Sequence, residues 1–265
     1  MSRIYLVCPS YGSVERVRRL LASAESTAAD PSALTLCVGY DEDDPEPRIV
    51  PAPRRSSGAE IIRQCLPTSG IGAHAGTLAE LYAVEPDDVV FVACDDEIFE
   101  STRWDQIVRE RVAEERGPRL YYVDDGINGP GRATITFMTK RTSDLVGGFG
   151  PPWMNVHGDV WLWCLFNLFD PPRVSYVPEI RVRHDVLGAN PRHETIRMDV
   201  YAAIRKYGPA LATRQRDALV AAIRRAEGTV ATSDTISKDG LTLTVDAAGN
   251  VAVSVKYWRP DGWHE

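Results

Sequence analysis

Short apolar runs alternate with amphipathic segments along the first half of the chain. Four runs have the length and apolar content of buried strands: residues 4–8, 34–38, 89–94 and 120–123. Other segments place apolar residues at helical spacing and predict helices, at residues 14–24, 59–66, 75–84 and 104–115. Strands that alternate with helices predict an α/β fold, in which a mostly parallel sheet is flanked by helices on both faces.

The pattern changes after residue 125. Residues 126–132 are rich in glycine and predict a mobile loop, and residues 134–139 alternate as a half-buried strand does. Helices are predicted at residues 143–148, 157–169, 194–207 and 210–227, with a strand at residues 175–183. The last alternating segment, residues 242–257, surrounds the turn residues 248–250 and predicts a β-hairpin.

Composition places the chain among ordinary globular proteins. Its 265 residues are 44% hydrophobic and 25% charged, and five cysteines form no CxxC pair. The net charge of −7 argues against broad, non-specific nucleic-acid binding. No signal-peptide pattern and no apolar stretch of about 20 residues is present. We therefore expect a cytoplasmic protein without a transmembrane segment.

Three polar loops directly follow predicted strands, at residues 9–12, 41–44 and 95–97. In parallel sheets, ligands bind outside the carboxyl ends of the strands. The three loops should therefore meet at one edge of the sheet and form one site there.

The acidic triplet Asp95-Asp96-Glu97 gives this edge a metal-binding character. In an extended chain Asp95 and Glu97 point to the same side, which makes a hard oxygen site for Mg²⁺ or Mn²⁺. A metal there can neutralise a diphosphate and stabilise it as a leaving group. The alternative is a solvated acidic turn, or a cluster of acids at a helix N-terminus.

The order of these signals over residues 3–200 resembles the GT-A class of glycosyltransferases, and particularly its large inverting family 2-like group. A first strand ends in Pro9, Ser10 and Tyr11, as that family's nucleotide-binding strand does. A second strand ends in the acidic loop at Asp41, where the family contacts the base. The strand and acidic triplet at 89–97 look like the family's DxD motif, with Glu97 where Asp is usual.

This resemblance implies roles for individual residues. Asp95 or Asp96 would contact the ribose and the metal, and Glu97 would ligate the metal. His184 at a strand end would complete the metal shell. Asp159 follows a Gly-Gly-Phe stretch and would be the general base. The alternative is that Asp159 caps a helix that begins at Val160, and both roles can coexist.

The resemblance also implies an organisation of the chain. A GT-A-like catalytic domain would cover residues 1–208, with a nucleotide half at 1–125 and an acceptor half at 126–208. Residues 209–265 would add a C-terminal helix and the β-hairpin. The hairpin would serve either homodimer formation or acceptor binding, and the sequence leaves both open.

The expected function is transfer of a sugar from a nucleoside-diphosphate sugar, with UDP favoured, to an acceptor hydroxyl with inversion. The cofactor would be Mn²⁺ or Mg²⁺, and the acceptor a glycan, lipid, protein, metabolite or modified nucleic acid. One alternative is a nucleotidyltransferase, although the loop at residues 9–13 has no lysine and too few glycines for that class. Another is a non-catalytic nucleotide-binding module on the same fold.

Overall fold

A computed structural model describes most of the chain: residues 2–10, 14–41, 60–66, 84–114, 117–149, 158–184, 192–228, 231–232, 235–238, 240–248, 250–259 and 262–264. The helices within these residues are α1 (Val14–Thr27), α2 (Trp104–Glu114), α3 (Lys140–Val146), α4 (Gly158–Asn167) and α5 (Arg192–Glu227). Short 3-10 turns occur at Pro31–Ala33 and Gly129–Gly131.

The strands are β1 (Ile4–Ser10), β2 (Leu34–Asp41), β3 (Glu60–Leu66), β4 (Val89–Val92), β5 (Glu97–Phe99), β6 (Leu120–Asp124), β7 (Thr136–Thr139), β8 (Phe169–Asp170), β9 (Val174–His184), β10 (Ala231–Thr232), β11 (Thr235–Lys238), β12 (Leu241–Val245), β13 (Val251–Val255), β14 (Tyr257–Arg259) and β15 (Gly262–His264).

Eight strands form the main sheet in the order β3-β2-β1-β4-β7-β6-β9-β5. The strands β7 and β5 run antiparallel to their neighbours, and the others share one direction. This confirms the predicted α/β architecture with a mostly parallel sheet. The carboxyl ends of β1, β2 and β4 consequently lie side by side, as the sequence indicated.

Both faces of the sheet are buried, which explains why its strands are almost continuously apolar. On β1, alternate residues serve different cores: Ile4 and Leu6 belong to one cluster, Tyr5 and Val7 to the other. The first cluster is completed by α1 and α2. The second is completed by α4, α5 and the strands β12 and β13.

Residues 59–66 were predicted as a helix, and this is wrong. The segment is the edge strand β3, which pairs with β2 from Thr35↔Glu60 to Asp41↔Leu66. Its length is too short for periodicity to separate a helix from a strand, and pairing with β2 decides the outcome. Most of the helix predicted at residues 75–84 lies outside the described residues.

The two helices predicted at residues 194–207 and 210–227 are one helix, α5, of 36 residues with Pro209 inside it. Proline removes one helical hydrogen bond, but core packing on both sides of it outweighs this loss. Ile204 and Ala212 are both buried in the same core cluster. The proposed division at residues 208–209 falls within this helix and stays a prediction.

The predicted C-terminal hairpin is present as β12 and β13, paired from Leu241↔Val255 to Val245↔Val251. A third strand, β11, extends it into a small sheet that the sequence did not indicate. Leu243 and Val251 are buried against the core beside α5. No helix among the described residues is long and apolar enough to cross a membrane.

Candidate active site

The acidic triplet lies in a turn at the carboxyl end of β4. Asp95 and Asp96 form the turn, and the backbone N–H of Glu97 donates to Cys94 O at 3.2 Å. Glu97 then starts β5 and pairs with His184 at the end of β9. The sequence predicted that Asp95 and Glu97 point to the same side because it assumed an extended chain. The chain turns at Asp95 and Asp96 instead, so the alternation of side chains along a strand does not apply there.

On the nucleotide side, the structure connects the end of β1 to this turn. The hydroxyl of Ser10 donates to Asp95 Oδ2 at 2.8 Å, and both residues are partly exposed. Pro9 precedes Ser10 on the same strand, and Asp41 ends β2 beside it. Tyr11 lies outside the described residues. Asp95 therefore faces β1, as a residue that contacts a nucleoside would.

Asp96 points instead toward His184. His184 Nε2 donates to Asp96 Oδ2 at 2.9 Å, and both side chains are half-buried. The hydrogen bond to Asp96 raises the pKa of His184 against the opposing effect of burial. Burial acts to raise the pKa of Asp96, but the hydrogen bond and charge of His184 outweigh it and lower that pKa. The pair is thus favoured in its charged form.

Glu97 is the unusual member of the triplet because it is 2% exposed and its Oε2 has no hydrogen-bond partner among the described residues. Burial raises the pKa of Glu97 well above its usual value, and the charges of Asp96 and Asp95 add to this effect. An unpaired buried carboxylate is costly. A bound cation would remove that cost.

Three side chains are grouped tightly enough to hold such a cation. One donor atom each from Cys94, Asp96 and Glu97 lies within 4.8 Å of the others. The residues therefore fit a divalent metal. The sequence predicted Asp95, Glu97 and His184 as the metal ligands. In the structure Asp95 is hydrogen-bonded to Ser10, and Asp96 rather than Asp95 lies next to Glu97. His184 is hydrogen-bonded to Asp96. The ligand set stays a prediction.

Asp125 is a buried carboxylate near this group that sequence reasoning missed. It is 1% exposed and accepts hydrogen bonds from Ile127 N at 2.8 Å, Asn128 N at 2.6 Å, Asn128 Nδ2 at 2.5 Å and the Thr134 hydroxyl at 2.7 Å. Although burial acts to raise it, these donors lower the pKa of Asp125 to about 2. In the sequence, Asp125 directly follows a strand and is followed by Gly-Ile-Asn. An aspartate in such a position indicates a turn in which its carboxylate accepts hydrogen bonds from the backbone N–H groups that follow.

These hydrogen bonds connect residues 125–134, and the mobility predicted for residues 126–132 stays a prediction. The 3-10 turn Gly129–Gly131 follows, and Tyr122 donates its hydroxyl proton to Pro130 O at 2.7 Å. The segment leads from the end of β6 through this turn to Arg132.

Asp159 lies at the start of α4. The helix begins at Gly158, so Asp159 is its second residue and does not cap a helix that starts at Val160. Its Oδ2 lies 3.8 Å from Arg132 Nη2, and its side chain is 24% exposed. The carboxylate is thus accessible to a second substrate and is held near a positive charge.

A cavity of about 420 Å³ lies at the opposite edge of the sheet, between the starts of β4 and β6 and the end of α5. Arg119, Arg141 and Arg225 are among its lining residues. It contains none of the residues discussed above, and the chemistry of the acidic turn therefore argues for the other edge as the reaction site.

Solved structures of glycosyltransferases show a fold similar to that of this chain. TarS from S. aureus aligns over 97% of this chain and 61% of its own, at 12% identity and a TM-score of 0.51. The chain thus spans about three fifths of TarS. The mannosyltransferase PcManGT from Pyrobaculum calidifontis, in complex with GDP-Man and Mn²⁺, aligns over 86% of this chain and 76% of its own, at 12% identity and a TM-score of 0.51.

A TarS fragment, residues 1–349 in complex with UDP-GlcNAc, aligns over 85% of this chain and 67% of its own, at 14% identity and a TM-score of 0.50. No protein-family profile and no curated protein sequence matches the chain. At these identities the likeness shows the fold, and it confirms the GT-A-type architecture expected from the sequence.

Proposed function

We propose that this chain is a metal-dependent glycosyltransferase that moves a sugar from a nucleoside-diphosphate sugar to an acceptor hydroxyl with inversion. The observation that carries the proposal is the unpaired, buried Oε2 of Glu97 beside Asp96, at the carboxyl edge of a GT-A-type sheet. Two proteins of similar fold were solved with nucleotide-sugars, PcManGT with GDP-Man and Mn²⁺ and TarS with UDP-GlcNAc, which supports a nucleotide-sugar donor for this chain.

The donor side uses the ends of β1, β2 and β4. Pro9, Ser10, Tyr11 and Asp41 would contact the nucleoside, for which UDP is favoured, and Asp95 would contact the ribose. Asp96 and Glu97 would hold Mn²⁺ or Mg²⁺, with His184 as a further ligand or as the residue that orients Asp96. A metal bound there supplies positive charge that stabilises a departing diphosphate.

The acceptor side uses Asp159. Its carboxylate takes the proton of the acceptor hydroxyl while that oxygen forms a bond to the anomeric carbon. The bond between the anomeric carbon and the phosphate oxygen breaks at the same time, and the nucleoside diphosphate leaves with the electron pair. A single displacement of this kind inverts the anomeric centre. Arg132 lies 3.8 Å from Asp159 and places a positive charge beside this carboxylate.

Calorimetric titration of UDP and GDP, with and without Mn²⁺, tests the donor half of the proposal. We expect Mn²⁺-dependent binding of one nucleotide, and a loss of about 100-fold in Glu97→Gln because a metal ligand is removed without a change of shape. Asp144→Asn, which changes an exposed carboxylate on α3, is the matched control and should bind as the wild type does. Binding of neither nucleotide under any metal condition would contradict the proposal.

Asp159→Asn tests the acceptor half. We expect the variant to bind the donor nucleotide as tightly as the wild type and to lose roughly 100-fold or more in turnover of the matching nucleotide-sugar, because only the proton acceptor is removed. Weakened nucleotide binding with normal turnover would instead place Asp159 on the donor side. Homodimer formation and a cytoplasmic location remain predictions.

A further inference from the structure

Cys94 differs from the other cysteines whose side chains the structure describes. Cys8, Cys37 and Cys164 are buried and belong to the two hydrophobic clusters. Cys94 is only partly buried and belongs to neither cluster. Its Sγ lies instead within 4.8 Å of carboxylate oxygens of Asp96 and Glu97. Packing therefore accounts for the other three cysteines but leaves the position of Cys94 unexplained.

The distances suit one ion shared by these three side chains. Zinc lies about 2.3 Å from sulfur and about 2.0–2.2 Å from carboxylate oxygen, so two such donors on one tetrahedral ion are about 3.5 Å apart. The three donor atoms lie within 4.8 Å of one another, so side-chain rotations must bring them closer by at most about 1.3 Å for all three to reach one ion. The unpaired Oε2 of Glu97 supplies an independent indication that a cation belongs here.

We propose that Cys94 contributes its sulfur to the metal site of this chain, which gives the site a preference for thiophilic ions such as Zn²⁺, Co²⁺ and Cd²⁺. Sulfur is a soft ligand that Mg²⁺ binds poorly and that these ions bind well. The inference rests on the same cluster as the proposed function but goes beyond it, because an all-oxygen site would also serve transfer. Zn²⁺ is then a competitor for the activating ion.

Binding of the metal ion releases one proton, from the thiol of Cys94. Without a cation, burial and the charges of Glu97 and Asp96 raise the pKa of Cys94, and the thiol keeps its proton. On coordination a bond forms between sulfur and the metal ion, and the thiol proton passes to solvent. No oxidant or reductant takes part.

Absorption spectroscopy of the Co²⁺-loaded protein tests the proposal without any measurement of activity. We expect the near-ultraviolet charge-transfer band that a cobalt–thiolate bond produces, and its loss in Cys94→Ser, which keeps the size of the side chain. Glu97→Gln should lose the band as well because it removes a second ligand. Co²⁺ binding without this band, or a band that persists in Cys94→Ser, would overturn the proposal.

Two further variants identify the sulfur. Cys8 is buried on the neighbouring strand, where the charges of Asp95, Glu97 and Asp96 add to the effect of burial and raise its pKa, so it is the other sulfur near the site. Cys8→Ser should keep the band, and so should Cys164→Ser, which changes a sulfur on the buried face of α4. Loss of the band in Cys8→Ser alone would assign the ligand to Cys8 and refute the assignment to Cys94.

A competition titration gives the size of the effect. Against a chromophoric chelator, the ratio of Zn²⁺ affinity to Mn²⁺ affinity should fall roughly tenfold or more in Cys94→Ser, because only the soft ligand is removed. An unchanged ratio would contradict the proposal. The proposed function fails separately: if wild-type protein shows the cobalt–sulfur band but binds neither UDP nor GDP with Mn²⁺, the metal site stands and the transferase does not.

Discussion

Two buried carboxylates near the end of the sheet, Glu97 and Asp125, have opposite surroundings. Asp125 is 1% exposed and receives four hydrogen bonds from Ile127, Asn128 and Thr134. Glu97 is 2% exposed, and its Oε2 receives none from the described residues. Hydrogen bonds lower the pKa of Asp125 to about 2 even though burial acts to raise it, whereas burial raises that of Glu97.

The comparison separates an acid that is hydrogen-bonded within the fold from one whose buried oxygen has no such partner among the described residues. Asp105 follows the pattern of Asp125: it is fully buried and accepts from Ala29 N, Asp30 N and Arg109. Asp105 and Asp125 thus have hydrogen-bond partners for their buried carboxylates, whereas the Oε2 of Glu97 has none among the described residues. A buried group of this kind lowers stability unless something binds it, which is the basis of the metal site proposed above.

The largest effect is expected from removal of the structural acid. Asp125→Ala leaves its buried donors without an acceptor, which should lower the free energy of unfolding by about 2–4 kcal/mol. Urea denaturation followed by circular dichroism measures this change. Asp144→Ala, at an exposed position on α3, is the control and should change stability little. A loss below about 0.5 kcal/mol in Asp125→Ala would show that these hydrogen bonds do not hold the segment.

Removal of Glu97 should change the free energy of unfolding in the opposite direction. Burial raises the pKa of Glu97, so this acid costs stability at neutral pH whether it is ionised or keeps its proton. Glu97→Gln removes that cost, and in a chelator at neutral pH we expect the free energy of unfolding to rise by about 1–2 kcal/mol. Added Mn²⁺ should stabilise the wild type and not the variant, because only a bound native state gains from the ligand. Thermal unfolding with and without Mn²⁺ measures both effects. Destabilisation of the metal-free variant would place Glu97 among the structural acids.

Acid pH should erase the contribution of Asp125. Its pKa is about 2 in the folded protein and about 3.9 in an unfolded chain, so the folded state binds the proton more weakly. The associated stability, roughly 2–3 kcal/mol, is present above pH 4 and is lost as the pH falls toward 2. The difference in unfolding free energy between wild type and Asp125→Asn should therefore shrink between pH 6 and pH 3. A difference that stays constant over this range would contradict the assignment.

The sequence predicted those parts of the fold in which local pattern and tertiary structure agree. The apolar runs of β1, β2 and β4 were recognised because strands buried on both faces are continuously apolar. The segment of β3 was not, since seven residues that include Ile61 and Ile62 fit either period. Helix α5 was divided at Pro209 because propensity cannot weigh the core packing that keeps it continuous.

The sequence predicted where the acidic triplet lies in the fold, but not how its side chains are arranged. An acidic triplet after a buried strand is visible in the sequence, and the structure places it where expected. Which carboxylate faces which neighbour depends on the turn after Cys94 and on pairing of Glu97 with His184, which is 87 positions away. The contact between Arg132 and Asp159 likewise joins two segments that no local pattern relates.

The smallest expected effect concerns the contact between Arg132 and Asp159. Arg132 and Asp159 are both partly exposed and 3.8 Å apart, so Arg132→Gln should lower stability by less than about 1 kcal/mol. A double-mutant cycle of Arg132→Gln with Asp159→Asn, measured by urea denaturation, gives the coupling energy of the pair. If the hydrogen bonds of Asp125 hold Arg132 in place, this coupling should vanish when the cycle is repeated in Asp125→Asn. Coupling that survives there would mean that Arg132 reaches Asp159 independently of Asp125, and that the structural acid does not serve the acceptor side.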